Sequence, residues 1–201
     1  MSGRLLLLLQ ASAAFLAGPL PLFDILLCVY AVMFSDLVRD RYSVRKYSGR
    51  PVEEEKLRAV LEAGRLAPTA KNAQPQRIYV VRSPEALAKL RSVCSMTFGA
   101  PAVIVVCADI RSSFVSPFSQ RNFGETDAAI VTDHMMLQAA DLGLGTCWVG
   151  WFDPAEVAGA LGIPGSLEVM NILPVGYPAD DSEPSPRHGD RKPLEETVTE
   201  I

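Results

Sequence analysis

Histidine is nearly missing from this chain, with two residues, His134 and His188, in 201. His134 lies between Asp133 and Met135 in what reads as mid-helix, a place for a polar interface residue rather than a base. His188 falls in a disordered-looking polar loop. Cysteine is also scarce, and the four residues Cys28, Cys94, Cys107 and Cys147 make no C-x-x-C pair and no ligand spacing with either histidine. Cys107 in "AVIVVCA" and Cys147 in "GTCWVG" read as buried free thiols, a usage that fits a reducing cytoplasm. A surplus of positive charge is missing too: 19 Lys and Arg stand against 23 Asp and Glu, for a net charge of −4. That balance excludes a general nucleic-acid binder. There is no internal repeat, no Ser/His/Asp arrangement and no pair of carboxylates. With no nucleophile or metal set of its own, the chain is expected to leave its chemistry to a bound cofactor.

Charge is absent locally as well. Before Asp36 only Arg4 and Asp24 are charged. Arg4, the run Leu5 to Leu9, and Ala11, Ser12 and Ala13 resemble a signal peptide, although cleavage there would leave a second apolar run from Phe15 to Phe34. The uncharged stretch from Leu5 to Phe23 approaches the length of a membrane span, but Pro19, Pro21 and Asp24 interrupt it. Met33 opens a segment in which Ser35 would cap a short helix carrying Leu37 and Val38. Residues 1–32 are therefore read as a hydrophobic extension (a mis-assigned start, an export signal or a membrane anchor) or as part of the fold. Residues 33–201 are read as one domain with a substantial core.

Alternating elements fill that domain. "PVEEEKLRAVLEAGRLAP" predicts a helix, with acids in its first turn, apolar Leu57, Val60, Leu61 and Leu66, and a proline stop. Gln76 to Arg82 is a short β-rich run, and Ser83 before Pro84 starts a helix with Leu87 and Leu90 on one face. "APAVIVVCAD" is almost wholly apolar, as a strand buried on both faces should be. The region from Arg111 to Gly124 carries Phe114, Phe118 and Phe123 without periodicity and reads as a mobile loop or lid. "ETDAAIVTDHMMLQAADLGLG" is the longest helix, apolar around much of its circumference, as at a subunit interface, and ended by Gly143 and Gly145. Its "GLG" follows a helix and precedes a strand, the reverse of a dinucleotide-binding turn. "TCWVG" is expected as a strand, Asp153 as the cap of a helix through about Leu161, and "EVMNILPVGYP" as the last strand. Ala179 to Pro193 is a solvated connection to a charged tail. This alternation predicts an α/β or α+β sandwich around a central sheet.

Two segments carry chemistry. "VRDRYSVRKYSGR" holds five basic residues, Arg39, Arg41, Arg45, Lys46 and Arg50, around Asp40. In an extended strand the spacing of Arg41, Ser43 and Arg45 turns all three side chains to one side. Two guanidinium forks and a hydroxyl suit a phosphate monoester; a membrane-surface patch or a solvated charged turn would need no such spacing. "APTAKNAQPQR" packs Thr69, Lys71, Asn72, Gln74 and Gln76 between Pro68 and Pro75. Its fixed amides and hydroxyl suit a polyhydroxylated chain or a heterocycle edge.

"RYSVRKYSGRPV", "LEAGRLAPTAKNAQPQRIYVV", "GAPAVIVVCAD", "AADLGLGTCWVGWFDP", "LPVGYPAD" and "RKPLEE" follow one another in the order found in the nitroreductase family of flavoproteins. The resemblance runs from Met33 to Ile201 and is greatest to the short, compact branch of bacteria and archaea. It implies a homodimer of three-layer α+β sandwiches, each with a central, mostly antiparallel sheet flanked by helices, and FMN sites at the subunit interface. Carried over by position, Arg41, Tyr42, Ser43 and Arg45 would hold the FMN phosphate and adjoining ribityl chain, joined by Arg191. Pro68, Thr69, Asn72 and Gln74 would contact the flavin and ribityl chain, partly from the partner subunit. Cys147, Trp148, Val149 and Gly150 would lie along the isoalloxazine. The implied reaction is ping-pong, from NADH or NADPH through the flavin to a nitroaromatic, quinone or similar acceptor, with no catalytic side chain and no metal. The phenylalanines between Arg111 and Gly124 would stack flat acceptors. Gln76 departs from the family, where an aromatic residue often follows "QP". The leader resembles that of membrane-anchored iodotyrosine dehalogenases, but "PTAKNAQPQ" does not match their loop. A flavin store or sensor without turnover is the reading from a different class. Location follows the leader: cytoplasmic without it, membrane-anchored if it is retained.

Overall fold

The computed structural model describes residues 34–201. The hydrophobic extension expected over residues 1–32, with Cys28 and Met33, lies outside the described residues. Residues 34–40 are helical and belong to a separate unit from Arg41–Ile201. Ser35 sits inside this helical run rather than ahead of it, so it is not the cap the sequence suggested. Arg39 pairs with Asp36 and Asp40.

The centre of the larger unit is the apolar run. Its seven residues, Ala102–Ala108, form β2, and all are buried. Alternate side chains serve opposite faces. Ile104 and Val106 pack with Leu57, Val60, Val131, Met135, Leu173 and Val175. Val103, Val105 and Cys107 pack with Leu87, Leu90, Val157 and Ile172. One face is covered by α1 (Glu54–Leu66) and α3 (Gly124–Asp141), the other by α2 (Pro84–Val93) and α4 (Pro154–Leu161). With β1 (Gln76–Val81), β3 (Gly145–Thr146) and β4 (Glu168–Gly176), the sheet order is β1-β2-β4-β3, every pair antiparallel. The result is an α+β three-layer sandwich. A register shift between Val106 and Cys107 leaves Met170 of β4 without a partner in β2.

The caps work as their residues dictate. Ser83 accepts from Ala86 N, and Asp153 accepts from both Ala155 N and Glu156 N. Gly143, at φ +74°, ends α3, and Leu144 N turns back to Ala139 O at 2.8 Å. Three expectations need correction. "TCWVG" is not one continuous strand: β3 stops at Thr146, and only Val149 pairs again, with Ile172. Leu66 is exposed rather than part of the α1 core stripe. Residues 114–123, expected as an irregular loop or lid, form a hairpin-like turn, with Phe123 N donating to Phe114 O at 2.9 Å and Ser116 N to Arg121 O at 2.9 Å. Among the described residues no helix is long and apolar enough to cross a membrane.

Candidate functional site

The basic segment is bound to the sheet edge. Ser43 pairs in parallel with Thr146, and Val44 N donates to Thr146 O at 2.8 Å. Val44 is buried against Gly145, where an added Cβ would stand 2.8 Å from Val44 Cβ. Only glycine at 145 lets the segment lie this close. Further along, Ser48 N donates to Tyr177 O at 2.9 Å and Ala179 N to Lys46 O at 3.0 Å. Tyr42 anchors the start: its hydroxyl donates to Ser182 O at 3.1 Å, and its ring meets His188 edge-on.

Ion pairing then divides the five cations. Arg39 is taken by Asp36 and Asp40, Lys46 by Asp181 at 2.8 Å, and Arg50 by Glu53. Arg41 and Arg45 have no carboxylate partner among the described residues. Arg45 donates only to the Ser43 carbonyl, at 3.3 Å. Cys147 lies beside Arg45 and Ser43. Burial holds its thiol above the ordinary value, opposed by the nearby Arg45 charge and a hydrogen bond with Ser43. Burial, and then Cys147, likewise raise the Tyr47 phenol, which donates to Pro174 O at 3.2 Å. Ser43, Arg45 and Cys147 are thus brought together. Arg41, two residues before Ser43, is half-buried and makes no side-chain hydrogen bond among the described residues. Arg191 is exposed; it donates to its neighbours' carbonyls, His188 O at 2.8 Å and Asp190 O at 2.7 Å.

The second segment is a strained, internally tied loop. Lys71, Asn72 and Gln74 have φ of 51°, 54° and 49°, the left-handed region that residues other than glycine seldom occupy. Asn72 N donates to Thr69 O at 2.9 Å, Gln74 N to Thr69 Oγ1 at 3.1 Å, and Gln74 Nε2 to Asn72 Oδ1 at 3.1 Å. Asp127, fully buried in the first turn of α3, pins the loop by accepting from Ala70 N at 2.9 Å. Its other oxygen, Oδ2, and Gln76 Oε1 are buried acceptors without a donor. The sequence reading missed Asp127, because an acid in a first helical turn reads as a dipole partner. Pro68 is exposed at the loop's start. No hydrogen bond joins this loop to residues 41–45 or 147–150 within one chain.

Beyond β3, Trp148 Nε1 donates to Asn171 Oδ1 at 2.8 Å, and Asn171 Nδ2 to Thr132 Oγ1 at 3.2 Å. This partly buried chain ties the indole to β4 and α3. Val149 is buried, whereas Gly150 is exposed with no atom within 4 Å of where a Cβ would stand. A cavity of about 410 Å³ opens there, bordered by Cys94, Ser95, Gly150, Trp151 and Asp153. His134 serves its helix, with Nδ1 2.9 Å from Ile130 O. Cys94, Cys107 and Cys147 are buried free thiols, and burial pushes Cys107 up to about 11.

Comparison with known proteins places these features in company. Residues 38–97 and 93–177 match the sequence profile of the nitroreductase family. A crystal structure of a nitroreductase family protein from Clostridium difficile 630 is 42% identical, with a TM-score of 0.76 over 82% of this chain and 95% of that one. An Archaeoglobus fulgidus protein named as a candidate NADH dehydrogenase/NAD(P)H nitroreductase is 35% identical, covering 73% of this chain and 86% of that protein. An FMN-dependent nitroreductase from Clostridium difficile R20291 is 28% identical, with a TM-score of 0.63 over 74% of this chain and 89% of that one.

Proposed function

Because the chain belongs to the nitroreductase family, we propose that it is an FMN-dependent oxidoreductase that draws on NADH or NADPH to reduce nitroaromatics, quinones or similar acceptors. The observation that carries this reading is the division of charge in the basic segment. Arg41 and Arg45 keep unneutralised guanidinium groups on either side of Ser43, while Arg39, Lys46 and Arg50 are each ion-paired. That donor set fits a phosphate monoester, because forked charged donors and one neutral hydroxyl match its oxygens.

Arg41, Tyr42, Ser43 and Arg45 would hold the FMN phosphate end, with Arg191 closing from the C-terminal segment. Pro68, Thr69, Asn72 and Gln74 would face the ring and ribityl chain, and the undonated Gln76 Oε1 beside them is an acceptor that a ligand hydroxyl would satisfy. Cys147, Trp148, Val149 and Gly150 would flank the ring, with Gly150 open to a flat group. When bound, FMN supplies reversible two-electron chemistry between a nicotinamide and an acceptor. The chain binds, orients and shields. Trp148 is held still by Asn171, and the raised Cys147 thiol stays protonated and uncharged beside the phosphate clamp.

We read the functional unit as a homodimer in which the 68–74 loop of one subunit completes the site of the other, since the two groups of residues are not joined within a single chain. Donor and acceptor would use one site in turn, giving ping-pong kinetics. The three buried free thiols suit a reducing cytoplasm, where we place the protein. The deciding experiment is an absorbance spectrum of the purified protein, followed by anaerobic titration with NADH and NADPH. The expected result is a yellow protein whose flavin is bleached by a nicotinamide and recovered by a nitroaromatic, with parallel double-reciprocal plots. Bound flavin that neither nucleotide bleaches would favour a store or sensor.

A further inference from the structure

We propose that the acceptor site selects planar reactants bearing a carboxylate or similar anionic group, and that Lys71 and Arg121 are the residues that select them. The inference rests on the flavin-site reading above, because Lys71 stands in the middle of the loop placed against the flavin. Two aromatic rings of the 114–123 hairpin lie next to one another, Phe114 and Phe123 with centroids 5.5 Å apart. Each carries a cation: Lys71 Nζ is 4.8 Å from the Phe114 centroid, and Arg121 Cζ is 5.5 Å from that of Phe123. Neither cation has a carboxylate partner among the described residues. Asp109 is occupied by Arg111, at 3.0 and 3.1 Å, and Glu125 pairs with neither cation. Arg121 donates to Thr126 Oγ1 at 3.2 Å, which leaves its remaining N–H groups available.

The cluster is held in place from beneath. Lys71 is fixed by its left-handed backbone and by the Asp127 anchor one residue before it. The hairpin base is fixed by Asn122, which donates to Ile110 O at 2.9 Å and accepts from Gly124 N at 2.8 Å. The tip projects furthest, with Phe118 96% exposed. Aromatic surface with unpaired cations resting on it suits a flat reactant with negative charge at its edge: the reactant's ring packs on the phenylalanine surface that the cations leave open, and the anion takes up the ammonium or guanidinium. A neutral flat acceptor gains only the stacking.

The test uses the full-length flavin-loaded protein with 4-nitrobenzoate and the isosteric 4-nitrobenzamide as acceptors, alongside calorimetric binding of benzoate and benzamide. The unaltered protein should prefer nitrobenzoate in kcat/KM by about tenfold, the scale of one charge-assisted contact. Lys71→Gln and Arg121→Gln should each cut that preference several-fold and weaken benzoate binding in parallel, while added salt reproduces the trend. Equal kcat/KM for the two acceptors in the unaltered protein would overturn the proposal. So would a Lys71→Gln variant that raises KM for NADPH alone and leaves the nitrobenzoate ratio intact, since the cations would then read the nucleotide. If neither acceptor is reduced but benzoate binds more tightly than benzamide in a Lys71-dependent way, the anion site stands and the turnover reading falls.

Discussion

At the scale of single residues, charge neutralisation separates structural cations from available ones. Exposed ion pairs such as Lys46–Asp181 contribute little to stability, typically under about 1 kcal/mol, but they occupy the cation. Flavin affinity, followed by fluorescence titration, should therefore fall at least about tenfold in Arg41→Ala or Arg45→Ala. It should change by less than about twofold in Lys46→Ala or Arg50→Ala. If all four variants behave alike, the segment acts only through its net charge. Glu53 offers a pH test. The Tyr177 hydroxyl, donating at 2.7 Å, contributes most, and the Glu53 backbone and Arg50 add to it; together they hold the carboxyl down at about 2 against an ordinary 4.5. The folded chain thus binds this proton less readily than the unfolded chain does. The stabilisation is full above about 4.5 and is lost as pH falls through about 2. Glu53→Gln should make the urea midpoint fall less steeply across that interval and leave its pH profile above the interval like that of the unaltered protein.

At the scale of elements, local signals and distant partners account for different parts of the structure. The N-caps at Ser83 and Asp153, the Gly143 stop and the doubly buried β2 were legible in sequence because each depends on residues within one or two turns. The break in "TCWVG" was not, since β3 ends where β4 presents Pro174, whose carbonyl accepts from Cys147 N at 3.4 Å but which has no N–H to return, and paired bonding resumes only where Ile172 meets Val149. The same holds for the 68–74 loop. Its polar composition was plain, but its left-handed turns are held in part by Asp127, 57 residues from Ala70, which pins the backbone alongside the loop's internal hydrogen bonds. Asp127→Ala should speed amide exchange at Ala70 and Gln74 by about tenfold or more and lower flavin affinity, because the loop loses its tether. Asp127→Asn keeps the accepting oxygen and should restore most of the protection. Equal exchange in both variants would show that the carboxylate does not hold the loop.

At the scale of the whole molecule, α3 is the element to watch. It fills one core with Val131 and Met135, yet Leu137 on another side is only half-buried and belongs to neither core cluster. A partly exposed leucine on a helix this apolar fits a subunit contact. In the homodimer proposed above, Leu137→Glu should leave a folded monomer in light scattering and release flavin. A dimer that persists with its flavin would place the interface elsewhere.

By itself, the sequence determined the helices, the buried central strand and the R-x-S-x-R spacing, because capping, apolar periodicity and alternation act between near neighbours. Only the tertiary structure decided which cations of the basic segment remain available. Asp181 reaches Lys46 across 135 positions, and Thr146 draws Ser43 and Val44 to a sheet edge that Gly145 keeps clear. Long-range pairing depends on which distant segments the hydrophobic sandwich brings side by side, and no local pattern encodes that.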